Sequence, residues 1–310
     1  MKILLASDGS ADAKKAAQFV KRLAERNPVD VNVLTASCAP DPFGQNLMPV
    51  STSDWEQAEK QQVERLHAEL TQLLQETCDT VVTTRKVGPV STLILDESVA
   101  IDADLIVLGA CGHSVVHRML LGSISDYVAT HAKCSVVVVR GDEDRSACPK
   151  RVLAAYDRSK GSREAISEVT DIRWTKDVHL DVVSVAPTPI PFESDPFSVM
   201  DYSWEPKHVE TIRTAAERIA SQAAERIPDC SVQVARSNHA GDAILQVAEE
   251  SRSDLLFVGD TGHSLLDEWL LGSTSKYLLR HAPCSVWISR HHRNGLRCLE
   301  DAREREAMEC

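Results

Sequence analysis

The amino-acid sequence predicts an α/β protein that consists of two copies of one open, mainly parallel sheet with helices on both faces. Strand-like and helix-like segments alternate along the chain. The runs 105–108 and 255–258 are apolar without alternation, which is typical of parallel strands covered on both faces. In addition, the sequence pattern of residues 109–127 returns at residues 259–277 with the same glycine spacing. A repeat of that length indicates two whole domains, since solenoid units span only about 20–50 residues.

The first copy alternates predicted strands with predicted helices. Ala13, Ala16 and Val20 share one face of the first predicted helix, and this spacing favours a helix. The predicted strands are short apolar runs at 2–7, 29–36, 80–86, 104–108 and 135–140. The first predicted helix spans 10–26, and the second follows a Pro-containing loop over 37–51. The third begins at 89, and the fourth spans 122–131.

The second copy repeats this order. Its predicted strands lie at 151–156, 178–185, 231–235, 254–258 and 285–289. Its first predicted helix ends near 172, and its second follows a Pro-rich loop over 186–205. The third spans 242–250, and the fourth follows the second glycine loop. Since residues 141–150 are polar, we expect one domain over 1–146, a second over 147–290 and a charged tail over 291–310.

Bulk composition limits the classes of function. The chain has 310 residues, a net charge of −12, 43% hydrophobic and 26% charged residues, as in globular proteins. The negative charge argues against a nucleic-acid partner, and no apolar run is long enough to cross a membrane. The apolar run at the N-terminus is too short for a signal peptide. Nine scattered cysteines, with Cys134 and Cys284 inside apolar runs, fit buried reduced thiols, so we expect a cytoplasmic protein.

Two loops of each copy carry candidate site residues. One follows the first strand and contains Asp8 or Asp157; the other is the glycine loop after the fourth strand. If the first and fourth strands are neighbours where the strand order reverses, the two loops flank one crevice, the usual ligand site of an open α/β sheet.

The glycine loop has residues that suit a polyphosphate. Gly109 and Gly112 allow a close approach of the main chain, and Gly122 opens a helix whose N-terminus favours an anion. Ser123 and Ser125 add hydroxyl groups. The corresponding residues of the second copy are Gly259, Gly262, Gly272, Ser273 and Ser275. Two structural alternatives stay open at this point: the glycines only shape the loop, and the aspartates only cap helices.

At these residues the chain resembles the universal stress protein family, whose nucleotide-binding members carry a G-x2-G-x9-G-(S/T) loop after the fourth strand and an aspartate after the first. The resemblance covers both copies. It implies tandem Rossmann-like domains of the adenine nucleotide alpha hydrolase-like type, each with five parallel strands in the order 3-2-1-4-5. It further implies ATP, ADP or AMP bound with Mg²⁺, and adenine close to Ala36 or Val185.

The same resemblance implies that the two domains pair through their last strands as an intramolecular pseudo-dimer, and it leaves a homodimer open. We expect no nucleic acid and no membrane as partners. The two sites differ in sequence: Arg158 replaces Gly9, and Asp267 and Glu268 replace His117 and Arg118. Because carboxylates repel phosphate, we expect tighter nucleotide binding at the N-terminal site.

Three hypotheses of function follow. The first is a nucleotide-responsive regulator in the stress response, at most a slow ATPase and without assigned catalytic residues. The second is an ATP-using enzyme of the PP-loop type, although Asp8 replaces the first glycine of the Ser-Gly-Gly loop that such enzymes need. The third is a lipid-binding, small-molecule or protein-interaction module, for which the aromatic residues of the Pro-rich loop form a candidate cleft: Phe192, Phe197, Tyr202 and Trp204.

The remaining candidates favour structural roles. Tyr127 and Tyr277 are expected in the core, and His131 and His281 at helix ends, where the helix dipole favours them. His113 and His263 follow the second glycine of each loop and are equally compatible with phosphate contact and with exposure to solvent. The pair His291-His292 lacks further ligands at metal-binding spacing, so no metal site is predicted.

Overall fold

The structure is a computed structural model that describes residues 1–37, 52–112, 121–141, 148–188, 204–261 and 271–290. The chain divides into two compact units, Met1–Cys148 and Pro149–Cys310. Several predictions lie outside the described residues: Gly262, His113 and His263, the charged residues within the glycine loops, the tail, and most of both Pro-containing loops.

The first unit contains a parallel sheet in the order β3-β2-β1-β4-β5. Its elements are β1 (Lys2–Ala6), α1 (Ala11–Ala24), β2 (Asp30–Ser37), α2 (Thr52–Leu74), β3 (Thr80–Val87), α3 (Val90–Ala100), β4 (Leu105–Gly109), α4 (Ser123–His131) and β5 (Ser135–Val139). Four consecutive residues of β4, from Leu105 to Leu108, are at most 4% exposed. Since successive side chains of a strand point to opposite faces, both faces of the sheet are covered there, as predicted.

The second unit has the equivalent order, β8-β7-β6-β9-β10, and again every pairing is parallel. Its elements are β6 (Arg151–Ala155), α5 (Lys160–Asp171), β7 (His179–Ala186), α6 (Trp204–Ala223), β8 (Cys230–Arg236), α7 (Ala240–Glu250), β9 (Leu255–Gly259), α8 (Ser273–His281) and β10 (Ser285–Ser289). The predicted fold class is therefore confirmed in both units, with boundaries that differ from the prediction by a few residues.

Serine residues begin the first helix of each unit. The Ser10 hydroxyl accepts a hydrogen bond from the Ala13 amide at 3.3 Å, and the Ser159 hydroxyl accepts one from Ser162 at 3.2 Å. The alternative that Asp8 and Asp157 cap these helices is wrong, because a serine two residues later does so. Each carboxylate instead accepts a hydrogen bond from the amide of that serine.

The prediction that Tyr127 and Tyr277 belong to the core is wrong. Their side chains are 46% and 38% exposed, and each ring stacks on the histidine one turn later, with centroids 4.0 and 4.2 Å apart. Those histidines, His131 and His281, do end their helices as predicted. Cys134 and Cys284 are buried, also as predicted. Among the described residues, no helix combines the length and the apolar character needed to cross a membrane.

Candidate functional site

The candidate site of the first unit lies where β1 and β4 end side by side. The two strands pair directly, from Ile3 with Leu105 to Leu5 with Val107. The chain leaves β1 towards β2 on one side and reaches β4 on the other, so the strand order reverses at this point. Because the carboxyl ends of both strands lie at one edge, the two predicted loops meet at a crevice, as expected.

The loop after β1 is a tight turn that orients Asp8. Its Oδ1 atom accepts a hydrogen bond from the Ser10 amide at 2.9 Å. Gly9 has φ of +79°, a left-handed conformation that glycine adopts without steric cost. The Ser10 hydroxyl donates to the carbonyl of Cys111 at 3.4 Å, which joins this turn to the glycine loop 101 positions later.

The first two glycines of the glycine loop have different neighbours. A Cβ on Gly109 would lie 2.6 Å from the main-chain carbon of Asp12, so this glycine permits close packing of β4 against α1. A Cβ on Gly112 would lie 2.6 Å from Oδ2 of Asp8. Gly109 therefore has a structural role as the end of a strand, whereas Gly112 allows the loop to lie directly over the Asp8 carboxylate.

The third glycine begins α4 and returns the chain to the crevice. Gly122 is the N-cap of α4, and its amide donates to the carbonyl of Ala110 at 2.8 Å. Ser125 is buried and donates its hydroxyl hydrogen to the Gly109 carbonyl at 2.8 Å, whereas Ser123 is exposed at the helix mouth. The Ser125 hydroxyl hydrogen is therefore used within the protein, whereas the Ser123 side chain is exposed to solvent.

These elements line a small pocket of about 80 Å³ that opens to solvent. Its polar lining includes Asp8 and Ser10, and its apolar lining includes Ala36, Ile94 and Ile124. Of the residues predicted for this unit, the pocket brings together Asp8, Ala36, Gly109, Gly112 and Ser125. A second groove, of about 370 Å³, shares Asp8 and Ala36 with the pocket and continues along α2.

Several residues around the pocket were not anticipated. Val90 and Ile94 line it from the first turns of α3, and their i, i+4 spacing is a signal that the sequence does contain. Cys111 also lines the pocket; burial and the charge of Asp12 raise the pKa of its thiol. Near the adjoining groove, burial lowers the pKa of His67, whose Nε2 lies 3.1 Å from the Thr35 hydroxyl.

The second unit repeats this framework. Oδ1 of Asp157 accepts from the Ser159 amide at 2.9 Å, and the Ser159 hydroxyl lies 3.5 Å from the Thr261 carbonyl. The Gly272 amide donates to the Asp260 carbonyl at 2.7 Å. The Ser275 hydroxyl donates to the Gly259 carbonyl at 2.7 Å.

The remaining predicted residues of the second site occupy matching positions. Ser273 is exposed at the mouth of α8, and Val185 is half-buried near the end of β7. Arg158 is exposed and has φ of +69°, so it adopts the left-handed turn of Gly9 despite its side chain.

Comparison with known proteins agrees with this architecture. The model of the universal stress protein family matches the chain twice, over residues 1–140 and 149–290. The chain belongs to the universal stress protein family. Its two units are therefore two universal stress protein domains in tandem.

Similar proteins include tandem and single-domain universal stress proteins. One from Mycolicibacterium smegmatis is 29% identical over 295 residues, which cover 93% of this chain and 96% of that protein. One from Synechocystis is 34% identical over 154 residues, which cover 45% of this chain and 97% of that protein. The crystal structure of a universal stress protein from Archaeoglobus fulgidus covers 93% of this chain and 96% of its own, with a TM-score of 0.66 and 20% identity, and so supports the fold.

Proposed function

We propose that this tandem universal stress protein binds an adenine nucleotide in the crevice of its first unit and acts as a nucleotide-responsive regulator in the stress response. The observation that carries the proposal is the contact between Asp8 and Gly112. Because Gly112 has no side chain, the carboxylate lies directly under the glycine loop, within a pocket that Ala36 and Ser125 also line. A nucleotide needs a polar group for its base or ribose and main-chain amides for its phosphates; Asp8 lines the pocket, and the N-terminus of α4 lies beside it.

The two ends of the pocket suit the two ends of a nucleotide. Ala36, Val90 and Ile94 supply apolar surface for a purine ring. Gly122 and Ser123 lie at the N-terminus of α4, next to Ile124 and Ser125 of the pocket lining, and the helix dipole there favours phosphate oxygens. The pocket itself is about 80 Å³, and the adjoining groove of about 370 Å³ lies within the usual range for small-molecule sites. ATP, ADP and AMP are all compatible with this division of polar and apolar surface.

Mg²⁺ enters the proposal with the phosphates. The described residues contain no cluster of three or more His, Cys, Asp and Glu side chains suited to a metal. Mg²⁺ commonly binds through one or two carboxylates together with substrate phosphates and water, and Asp8 is the carboxylate that lines the pocket.

For the second unit we propose a weaker nucleotide site. The same turn is present at Asp157, and the same hydrogen bonds join the two ends of the glycine loop at Gly259 and Gly272. The loop of this unit carries Asp267 and Glu268, whose charges oppose phosphate binding. Pairing of the units through β5 and β10, a homodimer and a cytoplasmic location complete the proposal.

Turnover of ATP is at most slow in this proposal. The sequence contains no Gly-Lys-Ser/Thr phosphate loop, and the turn after β1 reads Ser7-Asp8-Gly9-Ser10 instead of the Ser-Gly-Gly loop of PP-loop enzymes. The binding energy therefore serves to order the site rather than to drive a chemical step.

The test is to identify what the purified protein retains and to block each helix mouth in turn. We expect denaturation of the wild-type protein to release adenine nucleotide, detected by mass spectrometry. Gly122→Phe should abolish nucleotide retention by the first unit, because the phenyl ring would occupy the N-terminus of α4. The matched Gly272→Phe should remove only the nucleotide that the weaker second site retains. Circular dichroism checks that both variants fold. Release of acyl chains, or nucleotide retained in full by the double variant, would contradict the proposal.

A further inference from the structure

In the first unit, an aspartate of α1 holds the glycine loop from behind the pocket. The Cys111 amide donates to Oδ2 of Asp12 at 3.2 Å, and Nζ of Lys15 donates to Oδ1 at 2.9 Å. The pocket is lined by Ser10 and Ala13 of the same helical turn but not by Asp12. Asp12 therefore contacts the loop on the side away from the proposed ligand.

In the second unit, a carboxylate of the loop itself pairs with an arginine. Gly161 stands in the position of Asp12, and Asp260 in the position of Ala110. Oδ2 of Asp260 lies 3.7 Å from Nε of Arg290, the residue after β10, and these side chains are 4% and 2% exposed. The Thr261 hydroxyl also donates to Oδ1 of Asp260 at 3.2 Å.

The close packing of the second unit excludes the arrangement of the first. A Cβ on Gly161 would lie 2.5 Å from the Thr261 carbonyl oxygen, closer than real Cβ atoms approach. The loop of the second unit therefore lies too close to α5 for any side chain at position 161. In the second unit a carboxylate next to the loop can therefore not come from this position of α5, whereas in the first unit α1 supplies one.

We propose that Asp12 and Asp260 are the positioning residues of the two glycine loops, the same electrostatic anchor supplied from opposite sides of the loop. Asp12 is paired with Lys15, and the two side chains are 22% and 24% exposed, so this anchor is in contact with solvent, unlike that of the second unit. Buried charge pairs are screened by salt less than exposed ones. Added salt therefore weakens the anchor of the first loop more than that of the second. In so far as it concerns affinity, this inference rests on the proposed function.

The first test measures the loop without any nucleotide. In full-length protein labelled with [¹⁵N]cysteine, the Cys111 amide is assigned with Cys111→Thr, which introduces the residue of the second unit. We expect Asp12→Gly to accelerate its hydrogen exchange by about tenfold or more, because a hydrogen bond to a charged acceptor is lost. Asp12→Asn, whose side-chain carbonyl still accepts from this amide but carries no charge, should keep part of the protection. Unchanged exchange in Asp12→Gly, at unchanged global stability, would overturn the proposal.

The second test moves the anchor across the loop. Arg140 follows β5 as Arg290 follows β10 and is 8% exposed, and its charge partly offsets the rise that burial and Asp12 cause in the Cys111 pKa. We therefore expect Ala110→Asp, added to Asp12→Gly, to restore slow exchange, and Gly161→Asp to destabilise the second unit. If the double variant exchanges as fast as Asp12→Gly, the two anchors are not equivalent and the proposal fails. If the double variant does not fold, the exchange rates of the Cys111 amide in Asp12→Gly and Asp12→Asn decide whether Asp12 anchors the loop.

A titration with ATP separates the anchor from the proposed function. We expect Asp12→Gly to weaken ATP binding by about tenfold relative to Asp12→Asn, as the loop amides lose their fixed positions. If the wild-type protein binds no nucleotide, the proposed function fails, while the exchange measurements still decide whether Asp12 anchors the loop.

Discussion

Asp8 and Gly112 touch across the crevice: Oδ2 of Asp8 lies 2.6 Å from the point that a Cβ on Gly112 would occupy. The Gly112→Ala variant should therefore displace the carboxylate from its bond to the Ser10 amide and from the pocket. Because the displaced group is the end of an exposed side chain, we expect unfolding free energy to fall by less than about 1 kcal/mol. We expect nucleotide affinity to fall by about tenfold or more, measured by calorimetry.

A double-variant cycle tests whether Gly112 acts through Asp8. If both residues serve one contact, Asp8→Ala combined with Gly112→Ala should bind no more weakly than the weaker single variant. Additive losses of affinity would mean that Gly112 meets the ligand independently of the carboxylate.

Gly109 and Gly259 should prove to be requirements of folding. A Cβ on Gly109 would lie 2.6 Å from a main-chain carbon of Asp12, and one on Gly259 would lie 2.4 Å from a main-chain carbon of Gly161. Since backbone cannot move aside as a side-chain end can, we expect either alanine variant to lose about 1–3 kcal/mol of unfolding free energy or more. Denaturant unfolding of these variants beside Gly112→Ala checks the contrast. Equal stabilities in all three would show that the strand ends do not pack as described.

Gly9 and Arg158 allow a test of backbone strain in opposite directions. Their φ angles are +79° and +69°, and a Cβ on Gly9 would be 3.5 Å from Leu66, an ordinary contact. Gly9→Ala should therefore cost about 1 kcal/mol of unfolding free energy through the backbone alone. Arg158→Gly should raise stability by about 0.5 kcal/mol, since relief of strain exceeds the added entropy of the unfolded chain. Thermal denaturation of both variants checks the signs.

His179 should make the stability of the second unit depend on pH. Burial lowers the pKa of His179, but hydrogen bonds and charges from Asp229 and Asp181 outweigh this and raise it above 6.5. Its Nδ1 lies 2.8 Å from Asp229 and its Nε2 lies 3.3 Å from Asp181. A group with a raised folded-state pKa stabilises fully below its unfolded value and loses that contribution as pH rises through the folded value.

The His179→Gln variant isolates this contribution. We expect the difference in unfolding free energy between wild type and variant to be largest near about pH 6 and to shrink towards about pH 8.5. Tryptophan fluorescence suits the measurement, because four of the five tryptophans lie in the second unit. The neighbouring Cys230 does not interfere, because burial and the same two carboxylates raise the pKa of its thiol to about 11. A difference that grows with pH would contradict this account.

Much of the fold could be predicted because its signals are local. The apolar runs that become β4 and β9, the alanine face of α1 and the serines before α1 and α5 each depend on neighbours within a few positions. Duplication reinforced these signals, since Gly122 and Gly272 begin equivalent helices in both units. The meeting of the Asp8 turn with the glycine loop also followed, because parallel strands bring their carboxyl ends to one edge.

Contacts between distant segments lie beyond such local patterns. Nothing in the spacing distinguishes Gly109, which packs on Asp12, from Gly112, which faces Asp8. The inward turn of the Ser125 hydroxyl and the exchange of Asp12 for Asp260 depend on how near each loop comes to its helix. Periodicity and motifs specify which residues form strands, helices and loops. The assignment of each donor to its acceptor is settled only when chain segments about a hundred residues apart pack to within a few tenths of an ångström.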